Sequence, residues 1–383
     1  MQRGFSIKGF MGNTLMRLFG LLPLRNIAVF SAFEGKTYGD NPRAVYEEMI
    51  RRNLPLKYVW LMRDKDQKVP GAITVKPNSV RGAYYLSVAC LWVDCTRKSE
   101  WVIKRDNQFY LQTWHGDVAL KRIEEDAIDG LSRQYVNAAI HDSKQVDLMI
   151  SGSTFGTQLF RRAFWYKGEV LELGTPKSDS LFADKYEVRA KIKEAFGIPA
   201  NSKIVLYLPT FRSDGSTKAY FDDFDGLIQV LNKKTMGDWV AIRKLHPNVA
   251  AVRAGDEGNN QTVIDAGPVH STNELIAASD LVITDYSSCM FDALEIGIPT
   301  ILFASDLDDY GKERGFYFDF RDMPFPIAHT NDELERAISS FDLGEYVESA
   351  TVFRDSIGFI NDGKASERVV NELLSRINVH PKK

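Results

Sequence analysis

Apolar residues follow two patterns along the chain: short unbroken runs, and longer stretches in which they recur every three or four positions among polar residues. The unbroken runs are typical of strands buried on both faces of a parallel sheet, and the longer stretches are typical of amphipathic helices. Strands that alternate with helices predict right-handed βαβ units. The pattern therefore predicts an α/β protein built on parallel sheets.

The predicted strands form two groups along the chain. The first group comprises Ile27–Phe33, Tyr58–Met62, Leu91–Cys95, Phe109–Thr113, Leu148–Ser151 and Val170–Leu173. The second group comprises Ile204–Leu208, Val240–Lys244, Thr262–Ile264, Leu281–Thr284 and Thr300–Phe303. The predicted helices include Pro42–Asn53, Tyr186–Phe196, Phe224–Lys233, Asn273–Ser279, Cys289–Ile296 and Ala365–Ile377.

The segment Gly174–Asp179 interrupts this pattern near the middle of the chain with glycine, proline and hydroxyl residues. A chain of 383 residues is also longer than one hydrophobic core usually supports. We therefore predict an N-terminal segment, residues 1–25, followed by two α/β domains, residues 26–180 and 181–383, with the last helix closing the second. Two such domains leave a cleft between them, and clefts of this kind are preferred ligand sites.

The first 25 residues carry the cations Arg3, Lys8, Arg17 and Arg25 and no acid, among many apolar residues. Glycines and arginines interrupt the apolar residues, so the segment lacks the compact apolar core of a signal peptide, and no apolar run reaches membrane-spanning length. The composition favours an amphipathic helix lying on an anionic membrane surface. The alternative is a helix packed on the protein's own core, since Lys8 falls on the apolar side.

Charge and cysteine content argue against several classes of protein. A net charge of −3 argues against general nucleic-acid binding, which is typical of strongly basic domains. Cys90, Cys95 and Cys289 form no C-x-x-C pair, which favours a reducing compartment without structural zinc. The pair Asp308-Asp309 lacks partner ligands at useful spacing, so no metal site is predicted. The chain also has no P-loop, G-x-G-x-x-G or G-x-S-x-G sequence.

The segment Gln112–Asp117 places a histidine where the predicted strand Phe109–Thr113 ends. The carboxyl ends of strands line the crevice in which open α/β sheets bind ligands. His115 is therefore a candidate base, Trp114 is a candidate substrate contact, and Gly116 would let a substrate approach the backbone closely. The alternative is a loop histidine without a chemical role, and this motif alone does not separate the two.

Two further strand ends in the second half carry candidate phosphate contacts. Proline cannot continue a central strand, so Thr210 and Arg212 lie in the loop beyond the predicted strand Ile204–Leu208. The guanidinium fork suits a phosphate, although a solvated surface arginine is the alternative. Ser287 and Ser288 precede a predicted helix, where backbone N–H groups can bind an anion or the serines can simply cap the helix.

A second histidine, His246, also follows a predicted strand and precedes Pro247, which keeps it out of helical geometry. The neighbouring cations Arg243 and Lys244 would lower the pKa of its imidazole. A loop histidine in a turn is the alternative. Four further residues complete the candidate contacts: Thr272, Glu274, Asp292 and Arg314. Glu274 could accept hydrogen bonds from a ribose, or it could simply favour the helix N-terminus near which it lies.

Taken in order, these motifs resemble the CDP-glycerol glycerophosphotransferase family, which includes the teichoic acid primases and polymerases. The resemblance covers nearly all of the chain. One such motif would be weak evidence for the family, but seven motifs in the expected order are specific to it. They are Asn41-Pro42, Gln112–Gly116, Gly174–Asp179, Pro209–Arg212, His246-Pro247, Thr284–Ser288 and Arg314-Gly315. The family implies a GT-B architecture, in which two Rossmann-like domains face each other across a cleft, and peripheral membrane association.

The resemblance also implies roles for single residues. His115 resembles the family's general base, and His246 resembles its second essential histidine, in the nucleotide-binding half. Ser287 and Ser288 match the turn that binds the donor phosphates. The resemblance implies donor-anion contacts at Arg212 and Arg314.

The chain departs from the family pattern at two places. Asp117-Val118 follows His115-Gly116 where Thr-Pro is usual, and Lys177 stands where arginine is common. The first departure lies beside the candidate base, so the role of Asp117 and the identity of the acceptor stay open.

The resemblance implies transfer of glycerol phosphate or ribitol phosphate from a CDP-polyol to a hydroxyl of an undecaprenyl-diphosphate-linked or glycan acceptor, with release of CMP. No cofactor is expected, because the CDP-polyol is a co-substrate. The setting would be teichoic acid or capsule-type polymer synthesis at the cytoplasmic face of the cell membrane, with a homo-oligomer left open. The lack of an appended acceptor-binding domain favours a single addition over polymerisation.

Two other functions fit the same residues. A nucleotide-sugar-dependent glycosyltransferase could use the same fold, because one fold hosts several chemistries. A membrane-bound protein that binds a nucleotide or another anion without catalysis is the second alternative. Paired histidines in a cleft favour an enzyme over that protein.

Overall fold

The computed structural model describes residues 7–64, 66–212, 215–245, 263–267, 271–307 and 315–377. They fold into two compact units. The first unit comprises the chain up to Asp117, Ile123–Asp179 and the segment from Ile360 onwards, and the second comprises Val118–Arg122 and Ser180–Phe359. The break predicted at 174–179 coincides with one of these borders, whereas the other changes of unit leave no mark in the hydrophobic pattern.

The first unit contains one parallel sheet. Its strands are β1 (Arg25–Ser31), β2 (Lys57–Leu61), β3 (Ile73–Val75), β4 (Ala89–Asp94), β5 (Phe109–Gln112), β6 (Leu148–Ser151) and β7 (Glu169–Glu172). Within the described chain their order is β3-β2-β1-β4-β5-β6-β7, and every pairing is parallel. Ile27 to Phe30 are buried on both faces, which explains their unbroken apolar run. The strand order reverses between β1 and β4, and open α/β sheets bind ligands beyond such a switch point.

The second unit repeats this arrangement. Its strands are β8 (Lys203–Leu208), β9 (Trp239–Arg243), β10 (Val263–Asp265), β11 (Leu281–Thr284), β12 (Thr300–Phe303) and β13 (Ile327–Ala328). Their order over the described residues is β10-β9-β8-β11-β12-β13, again with parallel pairings. The switch point lies between β8 and β11. Each unit therefore has the Rossmann-like strand order that positions a ligand site at its carboxyl edge.

Helices precede, connect and follow these strands. They are α1 (Ile7–Phe19), α2 (Asp40–Arg51), α3 (Val80–Val88), α4 (Arg133–Ser143), α5 (Thr154–Ala163), α6 (Lys185–Phe196), α7 (Phe224–Thr235), α8 (Thr272–Ala278), α9 (Cys289–Glu295), α10 (Asn331–Ser340), α11 (Leu343–Ile357) and α12 (Ala365–Arg376). Short 3-10 segments cover Phe33–Gly35, Glu124–Gly130 and Pro176–Phe182.

The last helix, α12, packs in the first unit and not in the second as predicted. Val369, Val370 and Leu373 are buried in the same core as Val45 and Met49 of α2. The carboxylate of Asp179 also accepts hydrogen bonds of 2.8 Å from the first two backbone N–H groups of α12. The prediction is wrong because an amphipathic pattern shows that a helix buries one face but does not show which core receives it.

The N-terminal segment forms a helix, α1, that packs on α3 of the first unit. Met16 is buried in that contact, and the ring of Phe19 packs edge-on against Tyr84 at 5.5 Å. Phe10 and Leu18 remain largely exposed, at 66% and 58% of their surface. The helix thus packs partly on its own unit and presents other apolar side chains to the outside. No helix in the described ranges is long and apolar enough to span a membrane.

Candidate functional site

His115 lies at the switch point of the first sheet. It follows β5, its ring packs 5.4 Å from the ring of Phe33, just after β1, and its Nδ1 is 2.8 Å from the carbonyl oxygen of Cys95, just after β4. A carbonyl oxygen can only accept a hydrogen bond, so Nδ1 carries the proton. In the neutral ring, Nε2 then holds a lone pair that can accept a proton. This is the tautomer that a general base requires.

The surroundings of His115 favour its neutral form. Burial lowers the pKa of the imidazole below its ordinary value near 6.5. The Cys95 hydrogen bond and the carboxylates of Asp40 and Glu124 oppose this shift, and the ammonium of Lys177 acts in the same direction as burial. Because the net shift is downwards, Nε2 remains free of a proton at neutral pH.

The imidazole of His115 packs against the indole of Trp114. The indole lies 4.1 Å from the imidazole, centroid to centroid, and meets Phe164 edge-on at 4.7 Å. The guanidinium of Arg97 lies 5.7 Å from the indole centroid. The sequence predicts Trp114 as a substrate contact, but only 7% of the residue is exposed. The structure therefore gives it a packing role beneath the base.

The backbone around His115 is held by the Asn41-Pro42 and Gly174–Asp179 motifs. Asn41 Nδ2 donates to the carbonyl oxygen of Trp114 at 3.0 Å, and Asn41 Oδ1 accepts from the backbone N–H of Lys177 at 2.9 Å. Lys177 Nζ donates to the carbonyl oxygen of His115 at 2.8 Å and lies 3.6 Å from Asp40 Oδ2. Both motifs belong to the resemblance, but the sequence alone gives neither Asn41 nor Lys177 a role, because their contacts join residues 62 to 136 positions apart.

Gly116 and Asp117 have different surroundings. A Cβ atom built on Gly116 would meet nothing within 4 Å among the described residues, so packing does not require glycine there. Asp117 Oδ1 accepts from the backbone N–H of Gly152 at 2.6 Å, just before α5, and its carboxylate lies where a Cβ on Gly156 would be. A carboxylate at a helix N-terminus is favourable. Asp117 therefore anchors the loop that carries the candidate base to the start of α5.

In the second unit, Thr210 and Arg212 lie at the switch point, beyond β8. The backbone N–H of Thr210 donates to both carboxylate oxygens of Asp285, which follows β11, at 2.9 and 3.1 Å. Within the described part of the chain, the hydroxyl oxygen of Thr210 is buried and has no hydrogen-bond partner. The structure therefore places this hydroxyl at the edge where a ligand is expected.

Arg212 is paired with two carboxylates. Its Nε and Nη2 donate to Asp306, after β12, at 2.8 and 2.9 Å, and its Nη1 donates to Asp285 at 2.9 Å. The hydroxyl of Tyr286 donates to the same Asp306 at 2.8 Å. Burial opposes a charged guanidinium, but these carboxylates outweigh it and raise the pKa of Arg212. These contacts join three neighbouring strand ends, which favours a structural role over the donor-anion contact that the resemblance implies.

The other predicted contacts of the second unit lie at the starts of two helices. Ser287 and Ser288 form the turn before α9, which begins at Cys289 as predicted, and Ser287 Oγ accepts from the backbone N–H of Cys289 at 3.4 Å. Asp292 lies in the first turn of α9. Thr272 is the first residue of α8, and Glu274 lies in its first turn. Both helices begin beyond the carboxyl ends of strands, so these residues share one edge of the second sheet with Thr210.

No group of three or more histidine, cysteine, aspartate or glutamate side chains among the described residues could hold a metal ion. Arg243, predicted to act on His246 as a cation, makes a two-point ion pair with Asp265 at 2.7 and 2.6 Å. Its charge is thus matched by a carboxylate that sequence reasoning did not pair with it.

Comparison with known proteins decides the family. The sequence model of the family described as CDP-Glycerol:Poly(glycerophosphate) glycerophosphotransferase matches residues 15–375. The chain belongs to this family.

Individual glycerophosphotransferases are similar over most of the chain. The teichoic acid glycerol-phosphate transferase of Staphylococcus aureus is 31% identical, over 94% of this chain and 96% of that protein. The teichoic acid poly(glycerol phosphate) polymerase of Bacillus subtilis is 32% identical, over 91% of this chain but only 49% of the polymerase. The chain thus spans nearly the whole of the first relative and about half of the second.

A solved glycerophosphotransferase structure is also similar. A variant of the wall teichoic acid polymerase TagF, soaked with CDPG, superimposes with a TM-score of 0.82 at 29% identity, covering 97% of this chain and 98% of that one. The comparison confirms the predicted GT-B-like class of two α/β units with parallel sheets. Membership also confirms the predicted enzyme class, a CDP-glycerol glycerophosphotransferase. Two of the predicted site residues, His246 and Arg314, lie outside the described residues.

Proposed function

We propose that this glycerophosphotransferase moves glycerol phosphate from CDP-glycerol to a hydroxyl of a lipid-linked acceptor in teichoic acid synthesis. One observation carries the proposal: the Nε2 lone pair of His115, with Nδ1 fixed on Cys95, lies at the switch point of the first sheet. We propose CDP-glycerol and not CDP-ribitol as the donor, because the relatives described above are named for glycerol phosphate.

In the proposed step, the acceptor oxygen attacks the β-phosphorus of CDP-glycerol. A phosphorus–oxygen bond to the acceptor forms, and the bond from the β-phosphorus to the bridging oxygen breaks, so that its electron pair leaves with CMP. The acceptor proton passes to Nε2 of His115. Phosphoryl transfer depends mainly on alignment and on stabilisation of charge. The resemblance assigns that charge stabilisation to Ser287, Ser288, Arg212, Arg314 and His246. These assignments stay predictions, and the ion pairs of Arg212 argue against its part in them.

The donor specificity separates this proposal from its alternatives. The protein is incubated with a lipid-linked disaccharide and, in separate reactions, with CDP-glycerol, CDP-ribitol and UDP-sugars, and release of CMP or UDP is measured. We expect acceptor-dependent CMP release from CDP-glycerol. UDP release from a UDP-sugar would instead identify a glycosyltransferase, and nucleotide binding without release under any acceptor would identify a non-catalytic protein.

We also propose that α1 attaches the protein to an anionic membrane surface. Phe10, Met11, Leu18 and Leu21 are exposed by 58% to 84% of their surface. Residues 1–25 add cations and no acid. Exposed apolar side chains beside cations favour the interface of an anionic bilayer. A lipid-linked acceptor would lie at the same surface.

Vesicle binding tests this attachment. We expect co-sedimentation with vesicles that contain an anionic lipid, weaker binding to neutral vesicles, and a several-fold loss in the double variant Phe10→Ser, Leu18→Ser. Val352→Ser on α11 is the matched control, because Val352 is 69% exposed and lies in the second unit. Equal binding of the double variant and the wild type would contradict the proposal.

A further inference from the structure

The Asn41-Pro42 motif has no part in the transfer step described above, although its side-chain contacts lead directly to the candidate base. Asn41 is 1% exposed. Its Nδ2 donates to the carbonyl oxygens of Thr113 at 3.4 Å and Trp114 at 3.0 Å, and its Oδ1 accepts from the backbone N–H of Lys177 at 2.9 Å. One carboxamide thus joins the start of α2, the loop after β5 and the Pro176–Phe182 segment.

The backbone that Asn41 holds is strained. Trp114 has a φ of +51°, in the left-handed region that a bulky side chain adopts only where its surroundings enforce it. Phe33, Asp40 and Glu124 also have positive φ, at +47°, +58° and +53°. Phe33 contacts the His115 ring, and the charges of Asp40 and Glu124 act on it. Strained backbone concentrates at functional sites, where it fixes geometry.

Other contacts hold the next residue along the loop. Lys177, whose N–H is bound by Asn41, donates from Nζ to the carbonyl oxygen of His115 at 2.8 Å. The peptide groups on both sides of the His115 Cα are therefore held, one by Asn41 through Trp114 and one by Lys177. The imidazole is held separately, by the hydrogen bond to Cys95 and by its ring contact with Trp114.

We propose that Asn41 is a positioning residue for His115: its carboxamide maintains the left-handed Trp114 and thereby aims Nε2 of His115 at the acceptor hydroxyl. The inference rests on the proposed role of His115 as the base. Asn41 touches no reacting atom, so its loss affects the alignment of the proton acceptor more than the binding of substrates. Misplacement of a catalytic group by about 1 Å can cost roughly a hundred-fold in rate.

The chain offers a matched control for a buried carboxamide. Gln108 is 3% exposed and lies just before β5, at the opposite end of that strand from His115. Its Nε2 donates to the carbonyl oxygens of Leu86 and Ala89 at 2.7 and 2.6 Å, and its Oε1 accepts from the backbone N–H of Arg105 at 2.9 Å. Gln108 thus has the same number and kind of hydrogen bonds as Asn41 in the same unit, but away from the base.

The experiment compares Asn41→Ala with Gln108→Ala in the full chain, using CDP-glycerol and a lipid-linked disaccharide. For Asn41→Ala we expect kcat to fall by about a hundred-fold with both KM values within a few-fold of wild type. For Gln108→Ala we expect near-normal kcat at a similar loss of unfolding free energy. A kcat of Asn41→Ala close to the wild-type value, or an equal loss in Gln108→Ala, would overturn the proposal.

The pH profile gives a readout that a purely structural residue would not change. The groups that act on His115 are Asp40 on α2, Glu124, Lys177 and the carbonyl of Cys95. Loosening of the loop admits water to the buried imidazole, so its pKa rises towards the ordinary value. We expect the acid limb of kcat/KM to move to higher pH in Asn41→Ala and to stay in place in Gln108→Ala.

If the alanine variants do not fold, the isosteric pair Asn41→Asp and Gln108→Glu replaces them, because both substitutions keep the side-chain shape and exchange the amide donor for the same carboxyl oxygen. The same kcat criterion applies to this pair. His115→Ala separates this inference from the proposed function. If His115→Ala is active, His115 is not the base and the proposed function loses its main support. If His115→Ala is inactive but Asn41→Ala is active, only the positioning role of Asn41 is rejected.

Discussion

His115→Ala is expected to lower kcat by about a hundred- to ten-thousand-fold while the chain remains folded. The reason is the fixed tautomer: the carbonyl oxygen of Cys95 holds the proton on Nδ1, and Nε2 is left as the proton acceptor. Alanine removes that acceptor but leaves the substrates and the second unit unchanged, so KM for CDP-glycerol should change little. The measurement is steady-state CMP release, with circular dichroism to verify the fold.

His141 provides the control for this loss. It lies on α4 in the same unit, is partly buried, and its Nε2 is 2.9 Å from the carbonyl oxygen of Val102. His141→Ala therefore removes a similar histidine–carbonyl contact away from the switch point, and we expect near-normal turnover. Near-normal turnover of His115→Ala itself would contradict the assignment of the base.

The pH dependence of the wild type follows from the same geometry. Protonation of Nε2 removes the base, so kcat/KM falls as the pH drops below the pKa of the imidazole in the free enzyme. Burial lowers that pKa below its ordinary value near 6.5, so the fall in kcat/KM should come at a lower pH than an ordinary histidine would give. His115→Ala should lose this acid limb together with its activity.

Sequence reasoning predicted the elements that long apolar patterns encode. β6, β11 and β12 have the predicted bounds, and α9 begins at the predicted residue. Two edge strands, β3 and β13, with three and two residues, were not predicted, whereas β10, an edge strand that also has three residues, was predicted one residue too early. Helices such as α4 and α11 were not predicted either; α11 buries Tyr346, Ala350 and Ile357 on one face, but other apolar residues outside that face obscure the stripe. α11 leaves Leu343, Val347 and Val352 exposed.

The candidate site was predicted to the extent that it follows strand ends. His115, Thr210, Ser287 and Ser288 lie at the carboxyl edges of their sheets, because the polypeptide direction in a parallel sheet brings all such loops to one edge. Which side chains pair across that edge could not be predicted. The two carboxylates that pair with Arg212 lie 73 and 94 residues further along the chain, and no local sequence pattern predicts pairing over such separations.

Arg212→Ala is expected to lower the unfolding free energy of the second unit by about 3–5 kcal/mol, because it leaves buried carboxylates without their counter-charge. The side chains of Arg212 and Asp285 are only 8% and 3% exposed. Asp306 would lose a two-point ion pair in the same substitution. Hydrogen exchange of peptides from β8 and β11 measures the loss in this unit.

Two variants serve as controls. Arg212→Lys keeps the charge but not the planar fork, so an intermediate loss is expected. Arg189 makes a similar two-point pair with Asp280 in the second unit, but those side chains are 19% and 25% exposed. Arg189→Ala should therefore cost less, on the order of 1 kcal/mol.

Acid dependence distinguishes the ion-pair role of Arg212 from the donor-anion role that the resemblance implies. Burial would raise the pKa of Asp306, but hydrogen bonds from Arg212 and Tyr286 outweigh it and hold the pKa below the ordinary value of 3.8. A depressed carboxyl pKa contributes stability above the unfolded pKa, and this contribution is lost as the pH falls through the folded pKa. The wild-type second unit should therefore lose stability below about pH 4, and Arg212→Ala should lose less over the same range. Wild-type stability of Arg212→Ala together with a raised KM for CDP-glycerol would instead assign the guanidinium to the donor phosphates.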